Sequence, residues 1–243
     1  MKIIKLNAID STNTYLKQLA KETQLPNPSV VVAKRQFAGR GQMGNGWLSK
    51  EGQSLTFSVF QAFDKLHIEM QFGVSMAVSL ALLKTLQSLN VPKLSIKWPN
   101  DILSANKKIG GILIENVLTG NTVKYAIIGV GINVNETDFH ELPQASSMKL
   151  ETGETFQLEE LQDVLLRNML EKLKKLSTFD FSEMKFNYEE NLFQKGKVSV
   201  FETSENSRFN GIIKGVSNIG ELLVDTENED LRKFQLKEVK LIF

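Results

Sequence analysis

The alternation of hydrophobic and polar positions divides the first half of the chain into strands, helices and turns. Three runs are typical of strands, at residues 2–6, 29–36 and 54–63, and the third alternates with a period of two. A helix that opens with Asp10 or Ser11 as its cap is predicted between the first two strands. A second helix is predicted over residues 68–89, which are almost free of charge in the middle and are therefore expected to be buried.

Turns, and not helices, separate the next strands. A strand leads up to Pro99, a residue that does not fit inside a central ladder. Residues 105–108, "ANKK", then form a predicted hairpin turn before a strand at 109–118, and "TGNT" turns the chain into another strand at 123–135. Because hairpins join these strands, the sheet is expected to be largely antiparallel, as in α+β folds.

The second half predicts helices followed by short strands. Residues 135–154 are expected to be a long loop, followed by an amphipathic helix at 157–176 and a helical segment at 181–192. The apolar stripe of the longer helix consists of Leu158, Leu161, Leu165 and Met169. From residue 197 onward only short strands are predicted, which favours a small β-barrel. We therefore divide the chain into domains at 1–193 and 194–243.

Composition narrows the classes of protein. With 243 residues, 42% apolar and 23% charged, the chain is typical of a soluble globular protein without a signal peptide. The absence of cysteine excludes disulfides and thiolate chemistry and fits a reducing cytoplasm, and two distant histidines do not indicate a metal centre. A net charge of +1 indicates neither nucleic acid nor membrane as a partner. Residues 34–50, however, contain four basic residues and no acid, which indicates a local anion site.

A glycine motif, "GRGQMG", lies within this basic stretch at residues 39–44. A dinucleotide-binding turn would require a helix directly after it, with the pyrophosphate at the helix N-terminus. The residues that follow have no helical periodicity, and the next regular element is a strand, so we predict strand–loop–strand and no dinucleotide site. A hairpin with incidental glycines is the simplest alternative. Gln36, Arg40 and Trp47 favour a loop that closes over an anionic ligand.

Three other stretches carry polar groups in unusual settings. "KWPNDILSANKKIGGILIE" at 97–115 places Lys108 directly before two glycines, where another group can approach the backbone, whereas Lys107 is expected to be solvated. "GVGINVN" at 129–135 is on its own only a strand end with turn residues. "DSTN" at 10–13 is on its own more often a helix cap than a ligand site.

Four motifs of this chain, in their order and spacing, resemble those of the biotin–protein ligases. They are "DSTN", "FAGRGQMGNGW", "KWPNDI" with "KKIGGILIE", and "GVGINVN". The resemblance covers residues 5–135, and the tail after residue 197 is similar to the small SH3-like barrel of that family. It implies a fold related to class II aminoacyl-tRNA synthetases, with a mixed, mostly antiparallel sheet backed by helices. It also implies that biotin and ATP form biotinyl-5′-adenylate, from which biotin passes to a lysine of a biotin carboxyl carrier protein.

The resemblance assigns site residues at matching positions. The catalytic group comprises Arg40, Lys97, Asp101 and Lys108, and Asn100 with Asp101 is expected to serve Mg²⁺. The biotin group comprises Ser11, Thr12, Asn13, Gln36, Gly39, Arg40, Lys108, Gly111 and Gly129. The nucleotide group comprises Arg40, Gly41, Gln42, Gly44, Trp47, Asn100 and Asn133. Independently, joining a carboxylate to a triphosphate requires cations with little competing acid, and Arg40 and Lys108 supply them.

The chain also departs from the family pattern. Relatives often have a second arginine and further basic residues in the glycine loop, where this chain has Gln42, Met43 and Asn45, and we expect weaker retention of the adenylate. The chain begins shortly before "DSTN", so we expect no DNA-binding domain, no repressor role and no sequence-specific DNA binding. The last strand lacks an arginine that some relatives place near their C-terminus, so no catalytic role is assigned to the barrel.

Several alternatives remain at this stage. Lipoate or octanoate transfer shares the fold, but "KWPND" favours biotin. A nucleic-acid-binding module that uses the basic loop is disfavoured by the balanced charge and by the few aromatic residues beside the basic ones. A catalytically silent scaffold would not require Arg40, Asp101 and Lys108 together. Relatives often dimerise through a sheet edge, which allows a homodimer here, although the sequence does not reveal an interface.

Overall fold

The first 133 residues contain a seven-stranded sheet, two helices and a separate two-stranded hairpin. The structure is a computed structural model, and it describes residues 1–176, 180–226 and 230–242, without the side chain of Met43. The elements of this part are β1 (Lys2–Ile9), α1 (Thr12–Glu22), β2 (Ser29–Gln36), β3 (Gly39–Arg40), β4 (Gly46–Trp47), β5 (Ser54–His67), α2 (Phe72–Ser88), β6 (Leu94–Lys97), β7 (Asp101–Ser104), β8 (Lys107–Thr119) and β9 (Thr122–Asn133).

Strand order in this sheet is β1-β2-β5-β9-β8-β7-β6. Only β1 and β2 pair in parallel, because α1 crosses over between them, and every other neighbouring pair is antiparallel. The mostly antiparallel α+β sheet expected from the hairpin pattern is confirmed. Ser11 caps α1, its side chain accepting from the backbone N–H of Thr14, which decides between the two predicted caps.

Helices pack on this sheet, and the hydrophobic core lies between the helices and the sheet. The buried helix α2 packs between the sheet and α4 (Leu158–Lys174), and the predicted stripe of α4 contributes Leu161, Leu165 and Met169 to the interior. The helix α5 (Phe181–Glu190) packs against α2. No helix in the described part of the chain combines the length and the apolarity that a membrane crossing requires.

Two predictions about these elements were wrong in part. The expected loop at 135–154 contains the helix α3 (Met148–Thr152), which Ser147 caps and which ends at Gly153 with a φ of 80°. Five residues are too short for a helical period, so only the cap and the glycine could have indicated it. The strand predicted to end at residue 63 continues to His67, because β5 pairs with β9 again beyond an irregularity that leaves Leu66 buried.

The C-terminal part forms a five-stranded antiparallel sheet. Its strands are β10 (Val198–Thr203), β11 (Arg208–Val216), β12 (Leu222–Thr226), β13 (Leu231–Phe234) and β14 (Val239–Ile242), in the order β13-β12-β11-β10-β14. Among the described residues β13 and β14 do not pair, so closure into an SH3-like barrel stays a prediction. Residues 227–229 and 243 of the predicted domain lie outside the described residues.

The two sheets share one apolar core. Buried residues of the C-terminal sheet, such as Phe201 and Val224, belong to the same hydrophobic cluster as α2 and α4. Trp98 Nε1 donates to the carbonyl of Gly220 at 2.9 Å, and Glu189 Oε1 accepts from the backbone N–H of Val216 at 2.9 Å. These contacts place the C-terminal sheet beside the corner formed by residues 97–101. The boundary at 193/194, which lies between α5 and β10, stays a prediction.

Candidate active site

A cavity of about 590 Å³ lies between the central strands, the glycine loop, the corner at 97–101 and the C-terminal sheet. Most of the residues predicted for the site line it: Ser11, Thr12, Asn13, Gln36, Arg40, Gly41, Gln42, Trp47, Lys97, Asn100, Asp101, Lys108, Gly111 and Gly129. Gly39, Gly44 and Asn133 do not line it. Four segments that are distant in sequence therefore meet around one space, although the roles assigned to their residues stay predictions.

The glycine loop is a small hairpin. Gly39 and Arg40 pair with Trp47 and Gly46, and a short 3₁₀ turn at Gln42–Gly44 connects the two strands. The strand–loop–strand prediction is confirmed, since the next regular element is β5 and not a helix. At Gly39 a Cβ atom would lie 2.4 Å from the carbonyl oxygen of Trp47, so the close approach of the two strands requires glycine there.

Trp47 forms one wall of the cavity. Its ring lies against the backbone of Gly131, where a Cβ atom would come within 2.4 Å of it, and Lys108 Nζ lies 5.8 Å from the ring centroid. Trp47 Nε1 and Gln42 Oε1 are buried, and neither has a hydrogen-bond partner among the described residues. Buried polar atoms are usually paired.

Beneath the cavity, the polar groups form one connected network. Ser58 Oγ donates to Asn13 Oδ1 at 2.6 Å and lies 2.7 Å from Thr12 Oγ1. The backbone N–H of Thr12 donates to Gln36 Oε1 at 2.8 Å. At Gly129 a Cβ atom would lie 2.4 Å from Asn13 Oδ1, so the network depends on the bare backbone of β9. These buried donors and acceptors suit a small polar ligand.

A second group of charges faces the cavity from the β6–β7–β8 hairpins. Lys108 Nζ and Asp101 Oδ1 form an ion pair at 2.6 Å. The two residues lie on the paired strands β8 and β7, where Asp101 is opposite Gly111 and Lys108 is opposite Leu103. The turn between these strands consists of Ala105 and Asn106, both with positive φ. The turn predicted at 105–108 was therefore too long, since Lys107 and Lys108 already belong to β8. Burial lowers the pKa of Lys97, Asp101 partly opposes this shift, and the positive charges of Lys108 and Lys240 add to it.

Arg40 reaches the cavity from β3. Its Nη1 atom lies 3.4 Å from Thr14 Oγ1 and 3.6 Å from Glu115 Oε2, and its side chain is 49% exposed. Glu115 ends the "KKIGGILIE" motif, and the sequence analysis assigned no role to it. Arg40 therefore combines a partly fixed position with N–H groups that can still reach a ligand.

Two asparagines have structural contacts. Asn100 Nδ2 donates to the carbonyl of Ile112, which ties the corner at 97–101 to β8. Asn133 Nδ2 donates to the carbonyl of Ser146 at 3.0 Å, and Asn133 is 7% exposed. The observed contacts of Asn133 are therefore with the chain segment before α3, and its contact with a nucleotide stays a prediction. Among the described residues no group of three or more His, Cys, Asp or Glu is arranged to hold a metal ion.

Two sets of residues at or beneath this cavity were not predicted from the sequence. From the C-terminal sheet and its loops, the polar side chains that line it are Glu202, Thr203, Ser204, Asn206, Lys237 and Lys240. No local pattern in the sequence indicates this, because packing between the two sheets brings them there. Ser58 is different, since it follows Ser54 and Thr56 at a spacing of two, and the other residues of β5 from 54 to 60 are apolar. All three are buried, and their alternation with apolar residues could have indicated that one face of this strand is polar and internal.

Comparison with known proteins identifies the family of protein ligases to which this fold and cavity belong. Residues 6–133, more than half of the chain, match the model of the biotin/lipoate A/B protein ligase family, and the chain belongs to that family. The expected resemblance to the biotin–protein ligases is thereby confirmed.

Individual relatives support the same assignment. The chain is 29% identical over 243 residues to the bifunctional ligase/repressor BirA of Bacillus spizizenii, covering 98% of this chain and 74% of that protein. It is 29% identical to the biotin–[acetyl-CoA-carboxylase] ligase of Paracoccus denitrificans, covering 88% and 90%. A solved biotin protein ligase from Aquifex aeolicus, in complex with biotin and ATP, has 30% identity and a TM-score of 0.77, covering 99% and 98%. The fold is therefore the mixed α+β fold of biotin protein ligases, while kinship with class II synthetases stays a prediction.

Proposed function

We propose that this biotin ligase attaches biotin to a lysine of a biotin carboxyl carrier domain, through biotinyl-5′-adenylate formed from ATP. One observation carries the proposal: a single cavity unites Arg40, Lys97 and Lys108 with a buried polar floor. Biotin has a polar ureido ring and a carboxylate, and ATP is polyanionic, so the floor suits the ring and the cations suit the two anions that must meet.

In the first step a carboxylate oxygen of biotin attacks the α-phosphorus of ATP, a new C(=O)–O–P bond forms, and pyrophosphate leaves. Arg40 and Lys108 bind the two anions and oppose their repulsion, and Asp101 holds Lys108 in place by the 2.6 Å ion pair. Mg²⁺ would arrive with ATP and neutralise phosphate charge. Asp101 and the amide oxygen of Asn100 suit it, since Mg²⁺ commonly takes one or two protein oxygens besides phosphate and water.

In the second step the amine of the carrier lysine attacks the acyl carbon, and AMP leaves with the bonding electrons of the acyl–oxygen bond. Asp101 lies at the cavity wall and can take the proton that the amine loses. The glycine hairpin and Trp47 keep water from the mixed anhydride, which hydrolyses readily. A carrier domain of acetyl-CoA carboxylase is the acceptor that the name of the Paracoccus relative supports.

Exchange of labelled pyrophosphate into ATP tests the proposal, because the exchange needs only the first step. We expect exchange that depends on biotin. In a second assay, we expect biotin to be attached to an unmodified carrier domain. Absence of exchange from the wild-type protein would refute adenylate formation. Exchange with lipoate but not with biotin would move the chain to the lipoate branch of the family. Three further points stay predictions: a cytoplasmic location, a homodimer and the absence of DNA binding. A gel shift with a defined DNA site that resists salt would contradict the last of them.

Replacing Gln42 by arginine is expected to slow release of the adenylate about tenfold, because a guanidinium neutralises a phosphate that an amide can only hydrogen-bond. Gln42 lines the cavity, and its Oε1 atom is buried without a partner among the described residues, so the position is close enough to act. The measurement is the half-life of bound adenylate in a chase with unlabelled biotin and ATP. An unchanged half-life would contradict the expectation that Gln42 weakens retention.

A further inference from the structure

Glu115 is the one acid of the "KKIGGILIE" motif, and its side chain is 17% exposed. Its carboxylate oxygens contact three side chains from two other elements. Lys17 Nζ lies 2.7 Å from Oε1, Asn13 Nδ2 donates to Oε2 at 3.2 Å, and Arg40 Nη1 lies 3.6 Å from Oε2. Two of these partners belong to α1 and the third to the glycine hairpin. Glu115 therefore connects the polar floor with the loop that covers the cavity.

The charges of this cluster do not balance. Glu115 contributes one negative charge, and Lys17 and Arg40 contribute two positive charges. Lys17 makes the short contact with the carboxylate, so the more distant Arg40 is only partly neutralised. Burial raises the pKa of Glu115, but the hydrogen bond and charge of Lys17 and the charge of Arg40 leave it below its usual value. Glu115 is therefore ionised at neutral pH.

We propose that Glu115 is a positioning residue, which holds the Arg40 guanidinium over the cavity so that it meets the phosphate of the acyl-adenylate. This inference rests on the proposed function. Arginine has five N–H donors in a planar fork. Glu115 takes one end of the fork at Nη1, on the α1 side, and the other donors remain for the ligand. Fixing a flexible side chain before binding removes part of the entropy that binding would otherwise lose.

The direction in which Glu115→Gln changes the affinity for the adenylate distinguishes a positioning role from a simple effect of charge. Glu115→Gln keeps the length of the side chain and an acceptor for Asn13, but it removes the negative charge. If Glu115 acted only as a nearby negative charge, its removal would strengthen the binding of an anion. If Glu115 positions Arg40, its removal weakens binding, because Arg40 then loses its fixed place.

We expect Glu115→Gln to bind a non-hydrolysable biotinyl-adenylate analogue about tenfold more weakly than the wild type, as measured by calorimetry. The control is Glu171→Gln, which removes a carboxylate paired with Lys175 at 2.8 Å on the exposed face of α4 and is expected to leave the affinity unchanged. Equal or tighter binding by Glu115→Gln would overturn the proposal. Equal melting temperatures of the variant and the wild type would show that the loss is not one of folding.

A double-mutant cycle tests whether Glu115 acts through Arg40. In an Arg40→Ala background we expect Glu115→Gln to have no further effect on the affinity for the analogue. A tenfold loss that persists in that background would overturn the role, because Glu115 would then act through Asn13 or through the fold. Wild-type protein that fails to bind the analogue would instead refute the proposed function, so the two failures are distinguishable.

Discussion

Replacing Lys108 by alanine is expected to lower the rate of biotin-dependent pyrophosphate exchange about a thousandfold, the upper range for losing one group that stabilises charge in a transition state. The effect has two parts. The substitution removes the cation that lies 5.8 Å from the centroid of the Trp47 ring, and it removes the ion-pair partner that lies 2.6 Å from Asp101. Without Lys108 the negative charge of Asp101 is less well neutralised beside a carboxylate and a triphosphate, and its repulsion would add to the loss of attraction.

The chain provides a matched control one residue away. Lys107 is exposed, it does not line the active-site cavity, and Lys107→Ala removes the same side chain from the adjacent position of β8. We expect Lys107→Ala to exchange pyrophosphate at the wild-type rate. Similar losses in both variants would indicate damage to the β7–β8 hairpin and would contradict a specific role for Lys108.

Local patterns in the sequence predict several of the segments that line the cavity. The contrast between Lys107 and Lys108 follows from the hairpin: the two-residue turn at Ala105 and Asn106 puts them on alternate faces of β8, and only Lys108 faces the cavity. The glycine hairpin is equally local, since the absence of a helical period after Gly44 excluded a dinucleotide turn. Patterns of this kind depend on neighbouring residues and are visible in one sequence.

Contacts between distant segments could not be predicted in the same way. Lys237 and Lys240 reach the cavity because the C-terminal sheet packs on the corner at Trp98, and no feature of their own strands records that position. Glu115 is similar, because its partners Lys17 and Arg40 come from segments that the fold alone brings together. The expectation of no catalytic role for the C-terminal part was drawn from a missing arginine, and lysines of that part nevertheless line the cavity.

Replacing Gly129 by alanine is the substitution with the second large effect that we expect, because the backbone of β9 at this position lies directly against Asn13. In Gly129→Ala the new Cβ atom would lie 2.4 Å from Asn13 Oδ1 and 2.9 Å from Asn13 Cγ. Asn13 has little room to move, because it is 3% exposed and is held by Ser58 and Glu115. The overlap would displace Asn13 from the floor of the cavity, and we expect biotin binding to weaken about a hundredfold.

Calorimetry of biotin and of ATP separates the local effect from a general loss of structure. We expect the affinity of Gly129→Ala for biotin to fall while its affinity for ATP changes little, because the overlap lies at the Asn13 floor and not at Lys97 or Lys108. Gly153→Ala is the control for stability: its φ of 80° makes alanine strained at the end of α3, so that variant should melt earlier and still bind biotin normally. Unchanged biotin affinity in Gly129→Ala would show that Asn13 is not part of the biotin site, since the overlap forces that side chain to move.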